Sequence, residues 1–387
     1  MYRDNTWIAL SAKQNYPDSM KSFMIYGASG YTGELIAHKC KELGLPAILA
    51  GRNADKVRPL AEKLDLPFRI FDLEDSSRIE SSIKDCFAVL HCAGPFIHTA
   101  EPMARACIAS GVHYLDITGE IPVFQKIHTL DEEAKSAGVA LMPGSGFDVV
   151  PTDCAAAMVA QACPDATDLD IAFFSLGKMS RGTMKSALLQ MPQGNKIRRN
   201  GNLESGPLLK LKKSVQLAGK SRTGFSIPWG DVFTAGISTG IHNITVYSMV
   251  PGLPVFMAPL IRPFTGLLKS SGVQSFLRNR IDAGEAGPDE KTRQTEKSYV
   301  YARAWNADRS NGKKTGKPRE SGSPAQDFAE VELETMEGYQ FTMESALAAL
   351  QALDKKPGLK GFLTPSMAFG SDFVLKLPNT KILRRLP

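Results

Sequence analysis

Seven residues, Gly27-Ala28-Ser29-Gly30-Tyr31-Thr32-Gly33, place a glycine at every third position directly after the apolar run Phe23-Met24-Ile25-Tyr26. That spacing suits the binding of a dinucleotide pyrophosphate. Gly27 lets the chain turn sharply, Gly30 lets the backbone approach the phosphates, and Gly33 lets the following helix pack close on the strand. The helix N-terminus stabilises the phosphate charge. A glycine triplet alone is a weak signal. Here a strand precedes it and a helical pattern over Tyr31–Leu43 follows, so all seven residues are read as cofactor-binding.

Further along, an NAD-selective site would carry Asp or Glu about 20 residues beyond the loop to hold the ribose hydroxyls. This chain has Gly51-Arg52-Asn53. Arg52 can form a charge-assisted pair with a 2′-phosphate, and no carboxylate there repels it, so NADP(H) is the expected cofactor. The plain alternative is a solvated surface arginine. Asp72 ends the third strand, where it reaches the adenine or caps a helix. Ala93 and Gly94 leave room for the nicotinamide ribose and Pro95 stiffens the loop, unless this is an ordinary strand-to-helix turn.

Two more stretches, Tyr114-Leu115-Asp116-Ile117-Thr118-Gly119-Glu120 and Pro143 to Asp153, sit at the C-terminal ends of predicted strands, where open α/β sheets bind ligands. Tyr114, Glu120 and Asp148 are candidate proton donors, and Asp116 is a further candidate carboxylate. For each carboxylate, helix capping or a structural hydrogen bond is the bland reading. His91, His98 and His113 lie near the same edges without metal-ligand spacing; they read as structural, and no metal site is expected.

The elements that must carry these residues are visible as a switching hydrophobic period. Strands are predicted at Phe23–Tyr26, Ala47–Ala50, Phe68–Phe71, Phe87–Cys92, Tyr114–Ile117 and Val139–Met142. Helices alternate with them at Tyr31–Leu43, Ala54–Leu64, Ser76–Lys84, Glu101–Ala109 and Val123–Ala137. This is the pattern of a doubly wound parallel sheet, an α/β Rossmann domain over residues 20–150. Beyond it, Asp148–Ala162 and Met343–Leu353 read as helices and Asp168–Ser175 as a strand. Tyr299–Trp305 and Ala329–Thr335 read as paired antiparallel strands. Residues 178–223 read as loop-rich, with a mobile loop near 192–223, and 306–327 as a second mobile loop.

A chain of 387 residues with 43% hydrophobic content is long enough for two domains with ordinary cores. A net charge of +6 is too small to select a partner class. The six cysteines form no Cys-x-x-Cys pair, which argues against a disulfide framework or zinc site and for buried thiols in a reducing compartment. Residues 1–19 lack the apolar core of a signal peptide and read as a loose extension ahead of Met20, so a cytoplasmic location is expected.

Two stretches bear on partners. Residues 178–223 are basic with Glu204 as their single acid, which fits an acidic carrier protein or lipid headgroups, or simply a solvated loop. Aromatics that could stack bases are nearly absent there, so nucleic acid is not an expected partner. Val232–Ile261 contains no charged side chain, but its prolines oppose a membrane-spanning helix. Phe264–Arg280 is amphipathic with basic flanks. Residues 250–280 therefore suit peripheral membrane contact or the wall of an apolar tunnel, with a buried core segment and surface helix as the plain alternative.

At these motifs the chain resembles the saccharopine dehydrogenase-like oxidoreductases, in the branch containing the trans-acting enoyl reductases. The resemblance rests on the loop 27–33, Ala50-Gly51-Arg52, Ala93-Gly94-Pro95-Phe96, Tyr114-x-Asp116-x-Thr118-Gly119-Glu120 and Gly146-Phe147-Asp148-x-x-Pro151-x-Asp153. Gly182-Thr183-x-x-Ser186 and the closing stretch Gly361–Gly370 extend it, so that it runs from about Met20 to about Leu377. It implies a mixed α+β substrate or closing domain over 151–340, and a C-terminal helical segment, 341–387, packing back on the Rossmann domain. It also implies hydride transfer from NADPH to an unsaturated substrate, often a lipid or polyketide intermediate. The leading expectation is reduction of a C=C bond in a hydrophobic or carrier-bound acyl substrate. The alternatives are a saccharopine-type imine oxidoreductase, with Arg181 as a candidate carboxylate clamp, and a membrane-surface NADP(H)-binding protein without catalysis. A homodimer is compatible with the sequence.

Overall fold

The computed structural model describes residues 20–175, 177–249, 262–307 and 327–386. The extension 1–19, residues 250–261 and most of the loop expected at 306–327 lie outside them. The first unit runs β1 (Phe23–Tyr26), α1 (Tyr31–Leu43), β2 (Ala47–Gly51), α2 (Ala54–Leu64), β3 (Phe68–Ile70), α3 (Ser76–Ile83), β4 (Ala88–His91), α4 (Phe96–Ser110), β5 (His113–Asp116), α5 (Ile121–His128), α6 (Asp131–Ala137) and β6 (Ala140–Met142). The chain continues with α7 (Val150–Ala162), β7 (Asp168–Ser175), α8 (Arg181–Gln190), β8 (Asn195–Arg199), β9 (Asn202–Gly206), β10 (Lys212–Leu217), β11 (Lys220–Ser226), α9 (Asp231–Thr239) and β12 (Asn243–Ser248). It closes with α10 (Ser271–Asp282), α11 (Glu290–Thr295), β13 (Lys297–Trp305), β14 (Phe328–Met336), α12 (Gly338–Asp354), β15 (Gly361–Phe362), α13 (Pro365–Phe369) and β16 (Lys381–Leu386).

Strands β1, β2, β4 and β6 are buried at every position, which is why they read as short unbroken apolar runs. They belong to a seven-stranded sheet ordered β15-β6-β5-β4-β1-β2-β3, with every pairing parallel. Helices cover both faces. Ile36 and Val57 pack on one side with Phe23, Ile25 and Leu49, and Ile79, Met103 and Phe124 pack on the other with Met24 and Val89. The strand order reverses between β1 and β4, so the ligand crevice of this fold opens where their C-terminal ends diverge.

The second sheet is mixed, ordered β10-β11-β12-β7-β13-β14-β16, with β8 and β9 branching from β12. One face of β7 sends Leu169, Ile171 and Phe173 into the same hydrophobic core that contains Phe23 and Ile25 of the first sheet. Between the sheets lies α7, buried without interruption from Val150 to Val159. Its sequence, apolar or small all round, lets it serve both sides. The two sheets therefore share one core.

Three expectations need correction. Residues 178–223 are not loop-rich, because α8 and the hairpins β8–β9 and β10–β11 fill them. The turn residues Asn200 and Gly201 both have positive φ and connect Arg199 to its partner Asn202, so Asn-Gly acts as the two-residue hairpin turn that favours this geometry. The C-terminal segment does not simply pack as helices on the Rossmann domain. Gly361–Phe362 enters the first sheet as its seventh strand, whereas Lys381–Leu386 pairs antiparallel with β14 in the second. Finally, the single helix expected over Val123–Ala137 is two, broken between His128 and Asp131.

Helix α12 packs on α1, and its Phe341 is fully buried with its ring 5.8 Å from that of Phe147. Phe341→Ala removes a large side chain where the two sheets share their core. We expect a loss of about 3–5 kcal/mol, read as a lower urea midpoint at unchanged m-value.

Candidate active site

The glycine loop lies at the crevice. Gly27 has φ of +86°, and a Cβ there would come within 2.7 Å of the Ala93 backbone nitrogen. A Cβ on Gly33 would meet the Gly27 carbonyl oxygen at 2.3 Å. Only glycine fits either place, so the loop after β1 and the loop after β4 can touch while α1 begins close beneath them. The N–H groups of Gly27 and Ala28 donate to the Ala50 carbonyl at 2.8 and 3.1 Å. Those of Tyr31, Thr32 and Gly33 open the helix, where the first-turn donors have no intrahelical acceptor and suit phosphate oxygens.

The Tyr31 side chain does something else. Its hydroxyl donates to the Pro288 carbonyl at 2.5 Å and accepts from Arg293 Nη1 at 2.9 Å. The Arg293 guanidinium also stands 5.9 Å from the ring centroid, and the Tyr339 ring meets Tyr31 edge-on at 5.1 Å. Thus Tyr31 contributes its backbone to the phosphate loop and its ring to the second sheet's neighbourhood.

At the adenosine end, Arg52 and Asn53 are exposed just past β2. Asp72 accepts from the Glu74 N–H at 3.1 Å, a local turn bond, and the cap of α3 is Asp75 rather than Asp72. Tyr26, bonded through its hydroxyl to the Phe71 carbonyl, is pushed up to about 12 by burial and then by the Asp72 charge, with Arg52 opposing. Arg52 and Asp72 therefore flank the same strand ends.

At the opposite end, Ala93-Gly94-Pro95 leads into α4. The Ala93 carbonyl accepts from Thr99 Oγ1 at 2.7 Å, and a Cβ on Gly94 would make only ordinary contacts, the nearest at 3.6 Å. Space therefore does not demand glycine at 94. Glu120, nearly buried, accepts from the Phe96 and Ile97 N–H groups at 3.2 Å each and from Ser186 Oγ at 2.8 Å. It binds the first turn of α4 to the face of α8.

Asp148 is half-buried beside Gly119, where a Cβ would lie 2.7 Å from Asp148 Oδ2. Its carbonyl accepts from the Trp229 indole at 2.8 Å. Burial, and then the charge of Glu120, push its carboxyl up to about 7. A like charge nearby opposes ionisation of Asp148 and so adds to the effect of burial.

Tyr114 drops out as a proton donor. It is fully buried on the α4 and α5 side of the sheet, and its hydroxyl donates to Asp116 Oδ2 at 2.7 Å. Asp116 is equally buried, accepts from the Thr118 and Gly144 N–H groups at 2.9 and 2.8 Å, and is pushed up to about 6 by burial. The pair braces the loops that carry Glu120 and Asp148. His91, fully buried, is driven down to about 3 by burial and stacks on Tyr26 at 5.5 Å, so it is a neutral structural side chain.

The second half of the chain adds residues that the sequence reading did not single out as site residues. Ser180 caps α8, accepting from the Thr183 N–H at 3.2 Å. Tyr339, at the start of α12, accepts from the Ser180 N–H at 2.6 Å and meets Thr183 Oγ1 at 2.8 Å. Of these, Thr183 and Ser186 carried a signal through the Gly182-Thr183-x-x-Ser186 stretch, whereas Tyr339 and Arg293 carried none.

Residues 23–142 match the family model described as the saccharopine dehydrogenase NADP binding domain. This region, from β1 to β6, is similar to that NADP-binding domain. It binds NADP(H), in keeping with the exposed arginine after its second strand. The human saccharopine dehydrogenase-like oxidoreductase is 28% identical over 239 residues, covering 53% of this chain and 56% of that protein. A trans-acting enoyl reductase of Mycobacterium bovis is 29% identical over 138 residues, covering 34% of this chain and 33% of that protein. The chain thus spans about half or less of the length of these curated relatives. Saccharopine dehydrogenase (L-Glu forming) from Saccharomyces cerevisiae has the same fold, with a TM-score of 0.58 at 13% identity over 94% of this chain and all of that one.

If Arg52 holds the 2′-phosphate, Arg52→Ala should weaken NADPH binding roughly 10-fold or more, the worth of a charge-assisted pair, and leave NADH nearly unchanged. Fluorescence titration of both nucleotides decides it, and equal losses would count against the assignment.

Proposed function

We propose that the protein is an NADPH-dependent reductase of a C=C bond conjugated to a carbonyl in a hydrophobic acyl substrate, free or carrier-bound. Asp148 carries the reading: a half-buried carboxyl, raised to about 7 beside Glu120, past the strand ends where the nicotinamide of this domain class lies. A reduction of this kind needs a proton as well as a hydride, and a carboxyl with that acidity is protonated often enough at neutral pH to give one. NADPH held by the loop 27–33 would be the source of the hydride that the β-carbon takes. The Asp148 O–H then gives its proton to the α-carbon and takes up the charge, and water on its open side restores the proton.

Two observations support an apolar acyl substrate over an amino-acid imine. Phe147, Phe173 and Trp229 form a continuous aromatic group behind Asp148, with centroids 6.4 and 4.6 Å apart. Arg181 donates to the Asp282 carbonyl at 3.3 Å, on the α10 side of α8, while Ser186 serves Glu120. A carboxylate clamp at Arg181 would require it to leave that partner. The relative named as a trans-acting enoyl reductase agrees with the same choice.

Peripheral contact with a lipid surface is a second reading. Leu267 and Phe276 are 58% and 64% exposed among Lys269, Arg278 and Arg280, as an interfacial segment requires. Among the described residues no helix is long and apolar enough to cross a membrane. Flotation with anionic vesicles tests this reading, and Phe276→Glu should abolish any binding seen.

The catalytic assignment is tested by NADPH oxidation with 2-enoyl thioesters. Because the donor must be protonated, kcat/KM should be level below about 7 and fall tenfold per pH unit above it. Asp148→Asn should cut kcat about 10²–10⁴-fold and remove that fall. A wild-type profile that rises through pH 7 would make Asp148 a base and reverse the assignment.

A further inference from the structure

Tyr339 lies 5.1 Å from the ring of Tyr31 in the phosphate loop, and Gly338 just before it packs against the ring of Phe147, the residue preceding Asp148. It therefore stands in the cleft between the phosphate-binding and proton-donating ends. Tyr339 as a residue keeps part of its surface exposed.

The hydrogen bonds around it allow an arrangement in which its own proton is free for a ligand. The Ser180 N–H donates to the phenolic oxygen at 2.6 Å and can only donate. Thr183 Oγ1 lies 2.8 Å from the same oxygen and 3.2 Å from Ser180 Oγ. When Ser180 Oγ–H donates to Thr183, and Thr183 Oγ1–H donates to Tyr339, each hydroxyl in the chain has one donor role and one acceptor role. The phenolic oxygen then accepts two hydrogen bonds, which uses both its lone pairs and leaves its own O–H uncommitted. Two donors on the oxygen also strengthen the phenol as a donor, because they spread any negative charge it takes on.

We infer that Tyr339 is a catalytic residue whose hydroxyl donates to the carbonyl oxygen of the acyl substrate, with Ser180 and Thr183 as positioning residues behind it. This rests on the reading above. Hydride addition to the β-carbon pushes an electron pair through the C=C bond onto the carbonyl oxygen. The Tyr339 O–H bond stays intact and stabilises that enolate oxygen by hydrogen bonding. The pair then returns to form the α-carbon–hydrogen bond with the proton of Asp148. The division of labour is one donor for the oxygen and one acid for the carbon. A group that bonds more strongly to the charged oxygen of the transition state than to the neutral carbonyl raises kcat rather than binding.

The test is Tyr339→Phe, which deletes one oxygen, alongside Thr183→Val, which removes one of the two donors to it. On a 2-enoyl thioester, Tyr339→Phe should lower kcat about 10²–10³-fold, with KM and the NADPH dissociation constant changed less than about twofold. Thr183→Val should show a smaller loss of the same kind, and both variants should retain the fall in rate above about pH 7 that belongs to Asp148. An unchanged kcat in Tyr339→Phe overturns the inference. So does a loss of NADPH affinity that accounts for the rate loss, since the hydroxyl would then serve the cofactor. If wild-type protein binds NADPH but reduces no enoyl thioester, the proposed function itself falls and takes this assignment with it.

Discussion

Glu120 is the interaction on which the rest of the site depends. It is a buried carboxylate held by two backbone N–H groups of α4 and one hydroxyl of α8, with no ion pair among the described residues. A helix N-terminus is a favourable place for a carboxylate, and here its N–H groups supply the hydrogen bonds. The surviving charge is felt by Asp148, whose proton it helps retain. The same contacts hold α8 against the Rossmann sheet. One side chain thus braces the cleft and adds to burial, the larger cause, in raising the Asp148 carboxyl.

Behind Glu120 the structure is built to keep that loop still. Tyr114 and Asp116 point to the same face of β5, and their buried bond lets Asp116 hold the Thr118 and Gly144 N–H groups at once. The loop carrying Glu120 and the one leading to Asp148 are therefore tied to a single carboxylate. The close approach of Asp148 to Gly119 depends on the missing side chain there, so a glycine outside the phosphate loop matters as much as those within it.

Much of this was legible in the residues because it is local. The phosphate loop needs glycines at fixed spacing, and buried parallel strands are short apolar runs, so β1 to β6 and the loop 27–33 emerge from sequence alone. Asn200-Gly201 was equally legible as a hairpin turn but was submerged by the surrounding lysines and arginines. Strand β15 has two residues, too few for any period to register, and is defined by its pairing with β6. Tyr339 was illegible for a different reason. Its partners lie 156 and 159 residues away, and no spacing rule operates over that distance. Tyr114 shows the converse error, since a strand-end position near a ligand edge says nothing about which face the side chain takes.

The shared core also limits how the cleft can open. A hinge between the two sheets would expose Phe341, Leu347 and the buried face of α7, at a cost of roughly 1.5–3 kcal/mol for each large side chain. The elements on the other side of the cleft carry no such cost. Helices α10 and α11 bury no residue and α8 buries only Leu188. These elements and the segment that joins them supply Ser180, Thr183, Ser186 and Arg293, which hold Tyr339, Glu120 and Tyr31. Low local burial lowers the free energy of local opening. The cheapest motion is therefore displacement of α8, α10 and α11 from a fixed core. Displacing them would break the Arg293–Tyr31 contact, the Ser186–Glu120 bond and the hydroxyl chain to Tyr339 together, so the site's polar contacts stand or fall as one set.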